Sequence, residues 1–297
     1  MKTGIRILLL FIFTVCFSPR NFSQHPLEKE IYSIIKDRNA YVGVAVGLPG
    51  EPPVLINNDS FYPTYSVFKF HLALAVLHHL DSLGLPLNTG IFVRKADLLP
   101  DTYSPLRDSR PEGNFEMTAE ELLRYTVSLS DNNTCDILLR YIGGPERVQS
   151  YMDRCGIKGV VISADEAMMH SRVENQFLNR TTPLSAVHVL ELFLRGNLFS
   201  APYQEFLEKA MTETVTGADK LRAGLPENVT LGHKTGSSSR DEQGLKLGDN
   251  DIGFVLLPDG RRYTVAVFIT RSVEDDKTNA LITAQISRAV YDYVWQR

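Results

Sequence analysis

The sequence predicts a two-lobed α/β protein, an antiparallel sheet flanked by terminal helices with an all-helical lobe inserted into it. Short β-rich runs bounded by turn residues mark strands between Tyr41 and Asn57, and again between Val229 and Thr270. The long stretch between them has mainly helical periodicity. The composition, 43% hydrophobic and 22% charged over 297 residues, is that of a folded chain rather than a fibrous or disordered one. Strands from both ends then build one sheet, and the site is expected between the lobes, where pockets commonly form.

The elements follow in order. Lys2 and Arg6 precede an apolar run from Ile7 to Phe17, which Ser18, Pro19 and Arg20 break. A basic start, a short apolar core and small residues after it describe a secretory signal, and the run is too short to span a bilayer. Residues 1–23 are read as a signal peptide, cleaved after Ser18 or Ser23, and the mature chain as an exported, periplasmic protein outside the membrane. Phe13-Thr14-Val15 ahead of Cys16 lacks the small residues of a lipoprotein signal. Residues 24–60 and 214–297 are assigned to the α/β lobe and residues 61–213 to the helical lobe.

Leu27, Ile31, Ile34 and Ile35 give a helix running to about Arg38. Strands at Tyr41–Gly47 and Val54–Asn57 flank the turn-rich Leu48-Pro49-Gly50-Glu51-Pro52. Ser66 to about Leu83 is helical and apolar, the pattern of a buried helix. Thr118-Ala119-Glu120-Glu121 opens a largely helical region that lasts to about Ser200. Within it, Ser163 to Pro183 has neither period and reads as a long ordered loop, a feature that is usually functional. Strands return at Val229–Ser237, Asp251–Leu257 and Arg261–Thr270, the last two joined by Pro258-Asp259-Gly260, and a helix from about Lys277 to Trp295 closes the chain.

Several functions are excluded early. Thirty-one Lys plus Arg against 35 Asp plus Glu give a net charge of −4 with no dense basic run, which argues against nucleic acid as a partner. Three cysteines supply neither a disulfide framework nor a four-ligand zinc site; Cys135 and Cys155 remain for the mature chain, and pairing and free thiols both stay open. His78-His79 sits on an apolar helix, where packing is the simpler role than metal binding, and no His-x-His-x-Asp run or glycine-rich nucleotide loop is present. No metal or organic cofactor is implied. A monomer is the default expectation.

Three short segments carry chemistry. In Ser66-Val67-Phe68-Lys69 one helical turn sets the amine beside the hydroxyl. A lysine in a dry pocket can then draw a proton from serine, and the helix start offers free backbone N–H groups. The spacing alone is weak: Ser33-Ile34-Ile35-Lys36 repeats it on an amphipathic helix, where a solvated lysine is expected. Ser130-Asp131-Asn132 offers a second hydroxyl for proton relay and an amide for a substrate carbonyl, although helix capping alone accounts for such a tripeptide. Lys234-Thr235-Gly236-Ser237 lies on a late strand, where Gly236 permits close backbone approach, Ser237 N–H suits an oxyanion hole and Lys234 suits a carboxylate. A strand edge guarded by a lysine is the bland alternative.

The ordered set resembles class A β-lactamases and penicillin-binding proteins over essentially the whole mature chain. Thr102-Tyr103-Ser104-Pro105 is similar to the family's tyrosine-bearing rim, and Thr216-Gly217 before Lys220 is similar to its approach to the Lys-Thr-Gly strand. Two rivals share the acylating serine: a penicillin-binding peptidase or transpeptidase, and a non-hydrolytic β-lactam sensor. Hydrolysis needs a loop glutamate to activate water. Glu166-Ala167-Met168-Met169-His170 has the right step from Glu to a polar partner and resembles the branch that includes the PER and VEB types; Glu174, the second candidate, reads as a solvated carboxylate. The family's usual Arg–Asp clamp and proline appear here as Ala164, Asn179 and Ala167. A cis bond after Glu166 without proline costs about 3 kcal/mol or more, so a trans bond and a differently packed loop are expected, with Asn179 anchoring the loop elsewhere. An imidazole can change charge with pH where an asparagine cannot, so with His170 activity is expected to fall with acid more steeply than in Asn-bearing relatives.

What the resemblance implies is a serine β-lactamase acting on a small β-lactam and favouring cephalosporins. Ser66 is the nucleophile, with Lys69 or Glu166 through water as its base. Ser66 and Ser237 N–H groups form the oxyanion hole, Ser130 passes a proton to the lactam nitrogen, and Glu166 with His170 activates water. Tyr103, Asn132, His170, Thr216, Lys220, Lys234, Thr235, Gly236 and Ser237 contact substrate.

Overall fold

The computed structural model describes residues 25–297, so the segment read as a signal peptide, with Cys16, lies outside the described residues. Ten helices are described: α1 Pro26–Ile35, α2 Phe68–Ser82, α3 Pro105–Ser109, α4 Ala119–Val127, α5 Asn132–Ile142, α6 Pro145–Arg154, α7 Glu166–Ser171, α8 Pro183–Leu194, α9 Ala201–Thr212 and α10 Asp276–Trp295. The strands are β1 Tyr41–Gly47, β2 Val54–Ile56, β3 Tyr62–Pro63, β4 Gly90–Val93, β5 Phe115–Thr118, β6 Val160–Val161, β7 Arg180–Thr181, β8 Thr230–Ser237, β9 Asp249–Leu256 and β10 Arg262–Thr270.

The main sheet runs β2-β1-β10-β9-β8 and is antiparallel throughout, the expected fold class. The chain leaves it after β2 and returns at β8, with most of the helices between. Side chains alternate across a strand, and both faces of this sheet are covered, which explains why its strands read as continuous apolar runs. Val42, Val44 and Val46 of β1 join Val265, Val267 and Ile269 of β10 in a core beneath α1 and α10. Ala45, Ala266 and Phe268 face the other way, into the core shared with α2 and α8. Gly43 lies on that second face because a Cβ there would sit 2.4 Å from the buried Tyr62 ring.

Local signals set several boundaries. The Thr118 hydroxyl accepts from Glu121 N while the Glu121 carboxylate takes Thr118 N–H, the reciprocal cap its sequence predicts for α4. Gly260 turns β9 into β10 with φ of +86°. Two expectations shift. The helix expected from Ser66 begins as a 3-10 turn at Tyr65–Val67 before α2. The loop from Ser163 to Pro183 contains α7, a 3-10 turn at Glu174–Phe177 and β7, pieces too short for either period to register. Cys135 and Cys155 are both free thiols. No described helix is long and apolar enough to cross a membrane.

Replacing Gly43 by valine forces its side chain into the Tyr62 ring. A loss of about 1–3 kcal/mol is expected in urea denaturation, with an unchanged denaturant slope.

Candidate active site

The Ser66 turn is strained and pinned. Tyr65, just before Ser66, has φ of +46°, a left-handed conformation costly for a bulky residue, and its hydroxyl donates to Gln176 Oε1 at 2.9 Å. One turn on, Lys69 is wholly buried, and a buried ammonium must find acceptors. Its Nζ lies 3.1 Å from Ser66 Oγ, 2.8 Å from Ser130 O and 2.9 Å from Glu166 Oε1, and it also donates to Asn132 Oδ1. These four acceptors exceed the three N–H bonds of an ammonium, so the proton inventory of the cluster is shared.

Ser130 is held with φ of +59° just before α5, and the neighbouring Asp131 caps that helix by accepting from Thr134 N. Asp131 Oδ atoms also take the Ser104 hydroxyl and Leu106 N–H, which ties the Tyr103 rim to α5. Asn132 Nδ2 donates to Thr102 Oγ1 at 2.7 Å.

The wholly buried Lys234 donates to Ser130 Oγ at 2.8 Å and to Thr235 O at 3.0 Å. Burial first, then the positive charge of Lys69, push its ammonium well below the ordinary lysine range. At Gly236 a Cβ would meet Thr64 O at 2.4 Å and Ser66 N at 3.0 Å, so only glycine lets β8 lie against the Ser66 turn. Ser238 N donates to Gly248 O, which makes the preceding pair, Ser237 with Asp249, a non-hydrogen-bonded one. The Ser237 N–H therefore points away from β9, off the open edge of the sheet where Ser66 lies.

Glu166 begins α7, whose N-cap Asp165 accepts from Met168 N at 2.7 Å. The Glu166–Ala167 bond is trans. Consecutive N–H groups of Glu166 and Ala167 go to the two oxygens of Asp136, at 2.8 and 3.0 Å. A carboxylate can accept on both oxygens where an amide cannot. Asn179 anchors the neck of its own loop, taking Ser163 N and Ala164 N and donating to Ala164 O. His170 Nδ1 lies 2.9 Å from Glu166 O. A carbonyl only accepts, so Nδ1 carries the proton and Nε2 of the neutral ring is an acceptor.

Ser66, Tyr103, Ser130, Asn132, Glu166, His170, Thr216, Lys220, Thr235, Gly236 and Ser237 line one cavity of about 350 Å³, with Lys69 and Lys234 buried beneath. A second cavity of about 300 Å³, lined by Leu99, Thr102, Asp136 and Ala167, adjoins it and shares Asn132, Glu166 and His170. Glu174 is exposed and lines neither. Ser33 is exposed on α1, its hydroxyl turned to Glu30 O. His78 and His79 pack on Tyr151 and Tyr141, and among the described residues no cluster fit to hold a metal exists. Lys220 lines the cavity, but its Nζ is bound to Asp249 at 2.5 Å. Sequence reading missed Asp136 and Asp249. Asp136 was within reach, one turn after Asn132 on the same helix face; Asp249 becomes visible only through strand register.

The Ser66 turn, Ser130 and a lysine-bearing strand edge meet at a buried Lys–Glu pair beside one cavity. Residues 26–294 match the family described as Beta-lactamase enzyme family, and the chain belongs to that family, in class A. A β-lactamase of Bacteroides uniformis is 41% identical over 96% of this chain and 97% of its own length. The extended-spectrum β-lactamase PER-1 of Pseudomonas aeruginosa is 40% identical over 91% of this chain and 88% of its own. A class A β-lactamase structure from Bacteroides cellulosilyticus superposes with a TM-score of 0.89 at 45% identity, covering 91% of this chain and 98% of its own.

Burial, with the charges of Glu166 and Asp165, outweighs the two N–H bonds and pushes Asp136 up to about 7. The folded state thus holds this proton more tightly than the unfolded chain. The associated stability is full below about pH 4 and lost as pH rises through about 7. Melting temperature should fall across that window, and Asp136→Asn should flatten this component while lowering the melting temperature through one N–H left facing an NH₂ group. Asn179→Ala, which strips three hydrogen bonds from the loop neck, is expected to cost about 2–4 kcal/mol in denaturant titration.

Proposed function

We propose that this β-lactamase works through an acyl-enzyme on Ser66 that water activated by Glu166 releases, and that it favours cephalosporins. The observation that carries the reading is the buried contact of Lys69 Nζ with both Ser66 Oγ, at 3.1 Å, and Glu166 Oε1, at 2.9 Å. One group touches nucleophile and carboxylate together, so protons can pass from serine to glutamate by way of lysine.

Lys69 passes one of its protons to Glu166 and, as the amine, takes the proton of Ser66 while Ser66 Oγ attacks the lactam carbonyl. The N–H groups of Ser66 and Ser237 stabilise the oxyanion, a contribution commonly of about 3 kcal/mol per donor. As the C–N bond breaks, Ser130 protonates the lactam nitrogen and recovers a proton from Lys234, whose depressed affinity for its proton suits a donor. Asn132, with Nδ2 already on Thr102, holds the substrate's acylamide together with the β8 edge, while Tyr103 walls the entrance. Thr216, Thr235 and Lys234 receive the substrate carboxylate, and Gly236 keeps β8 close enough for all of this.

Glu166 first returns its proton through Lys69 and Ser130 to Lys234. In the second half-reaction Glu166 removes a proton from water as the water attacks the ester, and that proton passes by way of Lys69 to the departing Ser66 Oγ, while His170 Nε2 accepts a hydrogen bond from the water. Glu166 is 5% exposed and held by Asp136, which supports the role over the exposed Glu174 and separates this site from that of an acylating peptidase or sensor. The adjoining cavity of about 300 Å³ gives room for the bulky acyl groups of cephalosporins, in keeping with the extended-spectrum names of PER-1 and TLA-1. Export to the periplasm and a monomeric state belong to the same reading.

A chromogenic cephalosporin should be turned over continuously by the mature chain and not by Ser66→Ala. Glu166→Ala should give a burst of one equivalent and then a steady rate at least about 10³-fold lower, with the acyl adduct visible by mass spectrometry. Normal turnover in Glu166→Ala would remove it from deacylation.

A further inference from the structure

Two lysines at one end of the cavity suggest a strong carboxylate site, yet the charges around them are largely cancelled. Lys220 Nζ lies 2.5 Å from Asp249 Oδ1, with the residues only 8% and 3% exposed. The same Oδ1 accepts the Ser237 hydroxyl at 2.9 Å. This follows from register, since Ser237 and Asp249 face each other across β8 and β9. We propose that Asp249 is a specificity-determining residue that neutralises Lys220 and commits the Ser237 hydroxyl, and so sets how strongly the site grips the carboxylate of a β-lactam. The proposal rests on the cavity being the β-lactam site.

The donor inventory leads to this. Ser237 spends its only O–H on Asp249 and turns lone pairs to the cavity, so it cannot donate to a carboxylate. Lys234 has one N–H left after Ser130 and Thr235 O. The Thr216 and Thr235 hydroxyls are 2.6 Å apart and share one hydrogen, leaving a single O–H between them. Asp219, exposed on the rim, adds a further negative charge. Lys69 and Glu166 form a pair, as do Lys220 and Asp249, so among the described residues around the cavity Lys234 is the lysine without a direct ion pair. Asp249 thus holds a cation in reserve, close enough to act and electrically silent.

The test uses one β-lactam as its free carboxylate and as its methyl ester, and reads the ratio of the two kcat/KM values. A ratio within one preparation is insensitive to the fraction of folded enzyme. Asp249→Asn keeps an acceptor for Ser237 and Lys220 but removes the charge, and should raise the acid-to-ester ratio about tenfold, a gain that shrinks with added salt. Lys220→Gln leaves Asp249 unpaired and should lower the ratio about tenfold. The double variant, neutral again, should return to within about threefold of the parent. A ratio that stays constant across the four proteins, or acid and ester shifting together, overturns the proposal. Failure of the underlying reading shows separately, as parent turnover that survives Ser66→Ala.

Discussion

A fully buried ammonium dictates much of this molecule. Lys69 has no water to solvate it, so acceptors must come from the protein, and they come from three places in the chain. Ser66 lies on its own turn, Ser130 O and Asn132 Oδ1 at the start of α5, and Glu166 on the loop that carries α7. Leaving such a charge unpaired typically costs 3–5 kcal/mol, which favours the arrangement of all three segments at once. The same charge, together with burial, depresses Lys234 on β8 and so couples the sheet edge to the helical lobe.

The rest of the site consists of devices that hold those segments at short range. Gly236 lets a strand edge touch the Ser66 turn, because any side chain there would strike Thr64 O. Asp136 fastens the first two N–H groups of the Glu166 helix to α5, and Asn179 closes the loop neck without a charged clamp. Both are hydrogen-bonded solutions to one problem. A loop with short elements and few apolar contacts has to be held by polar ones. Positive φ at Tyr65 and Ser130 shows backbone strain stored beside the Ser66 and Ser130 hydroxyls, offset by the packing around them.

Regular elements were legible because burial imposes a period. The alternation of Val42, Val44 and Val46 and the capping sequence at Thr118 announce themselves locally, and both appear where expected. Twin motifs were harder. Ser33 and Ser66 carry the same spacing to lysine, and only the apolar helix after Ser66 distinguished them; the structure leaves one exposed and sets the other in a cavity. Glu166 and Glu174 separate in the same way, one buried against Lys69 and the other in solvent. Strands of two residues, such as β3, β6 and β7, left no trace, since pairing across the fold rather than propensity creates them.

Chain order and residue type were enough to settle the fold class, the two-ended sheet and the family, and to point to most of the residues that line the cavity. Those properties depend on periodicity and short-range spacing, which a linear sequence records. Which carboxylate answers which lysine was decided in three dimensions. Asp249 reaches Lys220 and Ser237 through antiparallel register, and Asp136 reaches Glu166 across 30 residues of chain. Charge compensation in a buried site depends on distances of a few ångströms between segments remote in sequence, and only the folded packing sets those distances.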